Sequence, residues 1–207
     1  MTWSAEAVDE LKLAPAMEGV LPAIHRRWSP RAFDKRDVAA ADLTRLFEAA
    51  RWAPSSYNEQ PWRFLVGHRG TATHQKIVSS LIPFNQLWAA QAPVLILGTA
   101  KTHFSHDGSE NIYAFYDLGA ATALLTVQAA ALGLATHQMG GFDHEAARHA
   151  LEIPDDFLIG SVTALGYLGE PATLANERMI AQEVAPRTRR PLSEIVLSAW
   201  GEPARLG

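Results

Sequence analysis

A chain of 207 residues suits one domain, with room for little more than appendages. A hydrophobic fraction of 48% against 19% charged residues allows a large core, and the formal net charge of −4 argues against a nucleic-acid partner. With no cysteine there is no disulfide framework, no thiolate nucleophile and no Cys-ligated metal.

The first fourteen residues read as an N-terminal extension to a single domain over residues 15–207. They carry acids where an export signal needs basic residues, and no apolar core follows, so the cytoplasm is the expected compartment. Residues 16–28 predict a helix ending near Trp28, where Ser29-Pro30 turns the chain extended. Leu43, Leu46, Phe47 and Ala50 recur at i, i+3, i+4 and i+7, which predicts an amphipathic helix over 39–53 stopped by Pro54. A short strand is expected at 62–67, a helix at 73–82 and a buried strand at 92–100, where the run is continuously apolar. Residues 101–111 are polar and contain glycine, the composition of a mobile loop. An Ala-rich helix over 112–132 is closed by Gly133, and a Gly140-Gly141 turn leads to a helix capped by Asp143. A strand runs from 157 towards Gly169, and a basic turn at 186–191 leads to the last segment. Helices outnumber strands, and neither a repeat nor a linker divides the chain, so one α+β domain with a central sheet under helices is expected.

Residues 118–135 carry no charge. They are mostly Ala, Gly and Thr, with Gln128 inside and Asp117 just ahead, and Ala and Gly contribute little transfer energy. The stretch predicts a helix buried on nearly all sides, in a core or a subunit interface, and not a membrane span.

The common catalytic signatures are absent: no G-x-x-x-x-G-K, no G-x-G-x-x-G and no G-x-S-x-G. His144 and His149 are five apart, which rotates the second off the face of the first and excludes a zincin pair. His103, His106 and Asp107 lie in a polar loop without further ligands, which reads as solvated loop more readily than as a metal site. Two arginine clusters stand far apart, Arg26, Arg27 and Arg31 around Ser29, and Arg187, Arg189 and Arg190. From spacing alone they are either two solvated faces or two halves of one phosphate site, since guanidinium binds phosphate bidentately. Residues 51–64, RWAPSSYNEQPWRF, place two Ser, an Asn and a Gln between large aromatics. A plain surface loop seldom needs such flanks, and the composition suits a flat ligand with polar edges.

The ordered set RRWSPRAF, ARWAPSSYNEQPWRF, FNQLWAAQAPVLI, GLATHQMGGFD, LGYLGEP and PRTRRPL resembles the nitroreductase family of FMN-dependent oxidoreductases over residues 24–196. The resemblance implies an α+β nitroreductase-like fold. Its parts are a central, mostly antiparallel sheet surrounded by helices, a long buried central helix, and an intertwined homodimer with FMN sites at the subunit interface. It implies that Pro54, Ser55, Ser56 and Asn58 edge the FMN of the partner subunit, while Gln60-Pro61-Trp62 closes the turn. Arg27 and Ser29 would hold the FMN phosphate, with Arg187 and Arg189 closing over it and Trp28 contributing backbone. Arg31 and Asn85 would face the pyrimidine edge near N1 and O2, and Gly140 and Gly141 would present backbone N–H groups near N5. The implied reaction takes two electrons from NADH or NADPH and delivers them to a nitroaromatic, a quinone or a similar small-molecule oxidant. A specialised member, dehalogenating or enone-reducing, is one alternative, and a protein that stores or delivers FMN without turnover is another. No acid–base dyad is visible and none is required, because a flavin carries the hydride chemistry itself.

Overall fold

The computed structural model describes residues 3–206. Its centre is the strand β2 (Val94–Lys101), with neighbours β1 (Trp62–His68) and β4 (Phe157–Gly166), and with β3 (Ala135–Met139) at the far edge. The order is β1-β2-β4-β3, and every pairing is antiparallel. β2 reads as an unbroken apolar run because both of its faces are covered. Leu95 and Leu97 enter one hydrophobic cluster, while Val94 and Ile96 enter the other. The period-2 alternation of a strand thus sorts one run between two cores.

On the face of Leu95 lie α4 (Ala72–Ser80), α5 (Pro83–Ala89) and α7 (His144–Leu151), with Ile77, Trp88 and Ala147 buried. On the other face lie α3 (Ala40–Arg51) and α6 (Ala114–Ala131), and the predicted stripe of α3 buries Leu43, Leu46 and Ala50. Asp143 caps α7 as expected, accepting from the Ala146 N–H at 2.9 Å.

Several expectations change. The helix expected over 16–28 is only α2 (Pro22–Arg26): Gly19 sits at φ +81°, and Pro22 restarts the helix at its first position. Arg27 and Trp28 are therefore extended chain. The polar stretch 101–111 is a closed turn, with a bridge between His103 and Glu110 and with Phe104 buried. The helices α5, α8 (Glu177–Val184) and α9 (Leu192–Ile195), strand β3 and the hairpin of β5 (Leu197–Ala199) and β6 (Glu202–Pro203) were not expected.

The Ala-rich helix is not buried all round within one chain. Ala114, Leu118, Ala121, Leu125 and Ala129 face the core, whereas Tyr116 is 77% exposed and Gly119 and Ala123 lie on the same open side. At 100° per residue that open face centres on Tyr116 and Ala123. Within the N-terminal stretch, α1 (Ala5–Leu11) is capped by Ser4, buries Val8 and packs against α8. Among the described residues no helix is long and apolar enough to cross a membrane.

Candidate cofactor site

The chain after α2 is extended and cannot hold itself by helical hydrogen bonds, so its polar groups need partners from elsewhere. Glu183 of α8 supplies them: it accepts the Arg31 N–H at 2.8 and 3.0 Å and the Ala32 N–H at 3.0 Å. The carboxylate is 2% exposed, and burial raises its pKa against the opposing pull of those N–H groups. From β3, His137 meets the Pro30 carbonyl at 2.9 Å through Nδ1. Burial pushes this imidazole down to about 4, so it is neutral near pH 7. A carbonyl only accepts, so Nδ1 carries the proton and Nε2 keeps its lone pair. The Trp28 Nε1–H donates to Asp9 at 3.0 Å, and the Lys12 ammonium lies 4.9 Å over the Trp28 ring.

The two arginine clusters meet in part. Arg187 donates to the carbonyls of Arg27 and His25, and Arg27 Nη1 lies 3.5 Å from Ser29 Oγ. Burial, followed by the charge of Arg189, lowers the Arg27 pKa. Burial, followed by the charges of Arg27 and Arg189, lowers that of Arg187. Like charges gathered this closely suit an anionic ligand. Arg190 instead pairs with Glu194 at 3.4 Å on the surface, and Arg26 is exposed.

Arg31 and Trp88 line a cleft of about 530 Å³ with Phe33, Lys35 and Glu170. Arg31 Nε and Trp88 Nε1 are buried without a hydrogen-bond partner. Two orphaned donors fit a ligand edge that carries acceptor atoms. Asn85 is buried, and its Nδ2 donates to the Gly141 carbonyl at 2.9 Å, so this amide is already engaged within the chain. A Cβ at Gly141 would stand 2.8 Å from that nitrogen, so the contact needs glycine, while a Cβ at Gly140 would meet open space.

The turn at Pro54 is elsewhere. Ser56 donates its N–H to Asp117 of α6 at 3.1 Å, and Gln60 N–H reaches Ser55 Oγ at 3.0 Å. Tyr57, Asn58 and Gln60 are all left-handed, with φ of 52°, 55° and 51°, a conformation that costs energy in residues other than glycine. Pro54, Ser55 and Ser56 line a different cleft, of about 360 Å³, with Tyr113, Tyr116 and Asp117. Among the described residues this turn shares no hydrogen bond with the arginine group.

Sequence reasoning missed Glu183, His137, Asp9, Lys12 and Asp117. One signal was readable: Glu183 stands four residues after the buried Met179 and hence on the apolar face of α8.

The fold and this arrangement define a class. The Nitroreductase family model matches residues 24–86 and 72–167, and the chain belongs to that family and is an oxidoreductase. An uncharacterized 15.4 kDa protein of Mycolicibacterium smegmatis is 36% identical over 149 residues, covering 68% of this chain and 99% of the relative. The NADH dehydrogenase of Thermus thermophilus is 29% identical over 214 residues, covering 88% and 97%. A solved structure described as an oxidoreductase containing FMN is 34% identical, with a TM-score of 0.83 over 89% of this chain and 93% of that one.

Proposed function

We propose that the protein is an FMN-dependent oxidoreductase. It draws two electrons from NADH or NADPH and passes them, in alternate half-reactions, to an electron-poor acceptor such as a nitroaromatic or a quinone. The observation that carries this reading is the gathering of Arg27 and Arg187 with Arg189: Arg187 donates to the Arg27 carbonyl, and burial, then neighbouring guanidinium charge, lowers the pKa values of Arg27 and Arg187, a grouping that calls for an anion. A doubly charged phosphate meets that need. When bound, FMN supplies the two-electron transfer chemistry at its N5.

The chain's own residues bind and orient it. Arg27, Arg187, Arg189 and the Ser29 hydroxyl hold the phosphate, with Trp28 contributing backbone. The partnerless Arg31 Nε and Trp88 Nε1 suit the carbonyl-bearing pyrimidine edge. The Arg31 cation, fixed beside that edge, would stabilise negative charge gained there on reduction. Asn85 holds the Gly141 carbonyl and so orients the Gly140–Gly141 backbone, whose N–H groups would be presented towards N5 of a bound FMN.

The working form is a homodimer in the cytoplasm. Pro54, Ser55 and Ser56 line a separate cleft, with Asn58 on the same turn, which supports their serving the cofactor of the partner subunit. The open face of α6 around Tyr116 and Ala123 is the surface that such a dimer would cover.

A flavin absorbance scan followed by quinone-dependent NAD(P)H oxidation tests the reading. Yellow protein with turnover is expected. Colourless protein that cannot be reconstituted with FMN would sink it.

A further inference from the structure

We infer that the N-terminal helix α1 and helix α8 form a clamp that fixes the Arg27–Arg31 loop for its ligand, with Lys12 and Glu183 as its positioning residues. Both lie outside the residues matched by the family model. It rests on the proposed FMN site only for the identity of the ligand.

The loop is held at two points. At Trp28 the indole is tied to Asp9 of α1 and covered by the Lys12 ammonium. At Arg31 and Ala32 both backbone N–H groups converge on the Glu183 carboxylate. Ser29 lies between these points and Arg27 next to the first, so neither can move without moving a fixed neighbour. Lys12 joins the two points. It is 6% exposed, donates to the Ala185 carbonyl just past α8, and stands close enough to Glu183 for their charges to interact. A buried carboxylate is costly unless a cation compensates it. The charged groups facing Glu183 are Lys12 and Arg31, with Arg187 facing Lys12 in turn, while His137 beside Arg31 is neutral. Lys12 is thus the cation that the extension contributes. Without it the carboxylate holding the loop would be compensated by the Arg31 side chain alone, which the ligand also needs.

The test uses the full chain and two readouts, one of which needs no cofactor. Hydrogen exchange at the Arg31 and Ala32 amides reports the clamp directly. In Lys12→Met their protection should fall roughly tenfold, and FMN affinity should fall about three- to tenfold with it, the range of one ordinary hydrogen bond. The midpoint potential of the bound flavin should become more negative. Lys12→Arg, which keeps the charge, should restore all three, and a merely structural contribution would not move the potential. Wild-type protection and affinity in Lys12→Met would overturn the clamp. Should that variant fail to fold, Asp9→Ala carries the test, because it removes the hydrogen-bond partner of Trp28 while Arg187, whose charge Asp9 also faces, keeps its bonds to the Arg27 and His25 carbonyls. Unchanged FMN affinity there overturns the inference equally. Wild-type protein that takes up no FMN, with protection still lost in Lys12→Met, would uphold the clamp and remove the FMN reading instead.

Discussion

The arginine loop and the Pro54 turn are both short polar stretches between apolar elements, yet they are held in opposite ways. The loop around Arg31 is held from a distance: the Glu183 carboxylate that receives its N–H is 152 residues away in sequence, and His137 reaches Pro30 across 107. The turn is shaped largely by itself, through the Ser55–Gln60 hydrogen bond and three left-handed residues, with Asp117 and, at Glu59, Ser105 as its distant partners. A loop held from several distant elements cannot shift by itself, which suits a site that must fix a charged ligand. A turn carried on its own backbone strain projects outward, which suits a surface offered to another molecule.

The comparison breaks most completely if the turn serves no partner. Ala123→Glu sits at the middle of the open face of α6, where a charge costs a lone chain almost nothing. In a dimer interface the same charge would be stranded in apolar surroundings. Sedimentation should show monomer, and flavin should be lost with the dimer. A monomeric variant with full flavin content would show that each chain completes its own site.

The next effect tests whether burial governs the arginine loop. Burial lowers the His137 pKa from 6.5 to about 4, so the unfolded chain binds more protons than the folded one between those values. Stability from this group is therefore present above about pH 6.5 and is lost as pH falls towards 4, by up to about 3 kcal/mol. Glu183 works the other way, because its raised pKa lets the folded state take up a proton first. Comparison with His137→Gln cancels that contribution: the wild type should lose more stability than the variant from pH 7 to 4. Parallel acid limbs in denaturant titrations would show that His137 does not titrate as a buried group.

Arg27→Ala and Arg189→Ala act on the ligand rather than the scaffold. Each removes a charge-assisted contact worth roughly 1.5–3 kcal/mol, so FMN affinity should fall about ten- to a hundredfold. The apo-protein should not lose stability, since its like charges are relieved. Fluorescence titration reads the first effect and thermal unfolding the second. Wild-type affinity in both variants would return the clusters to solvated surface.

How much was legible follows the same division. Local signals were readable: the stripe of α3, the apolar run of β2, the Asp143 cap, and the motifs that resemble the nitroreductase family. What failed depended on partners far along the chain. Residues 16–28 carry helical pattern, but Gly19 and Pro22 punctuate it, and Glu183 draws Arg31 and Ala32 into extended chain. The uncharged run of α6 predicts burial on nearly all sides in a core or a subunit interface, and one chain alone covers only its core-facing side, because composition cannot say whether a small-residue face meets its own chain or another. Whether the arginine clusters converged was undecidable from spacing, since the answer lies in where the chain returns after α8.

The smallest expected effect is also the most specific to chemistry. Arg31 has two separable parts: its backbone N–H is held by Glu183, whereas its side-chain Nε has no partner. Arg31→Gln therefore keeps the backbone contact to Glu183 and removes the cation, with Lys12 left to compensate the carboxylate. If that cation faces N1 and O2, its loss removes a hydrogen bond to a charged group, worth roughly 1.5–3 kcal/mol. For a two-electron couple about 30 mV corresponds to 1.4 kcal/mol, so the midpoint potential should drop by on the order of 30–60 mV. The drop will be smaller where Gln keeps a hydrogen bond. Hydride transfer from NAD(P)H should slow as its driving force falls, while re-oxidation should be unchanged or faster. A spectroscopic redox titration decides the matter. A potential that stays put or rises, with flavin bound and with the Arg31 and Ala32 amides still protected, would mean that the side chain does not face the N1 and O2 edge of the ring. In that case the loop would fix the phosphate alone.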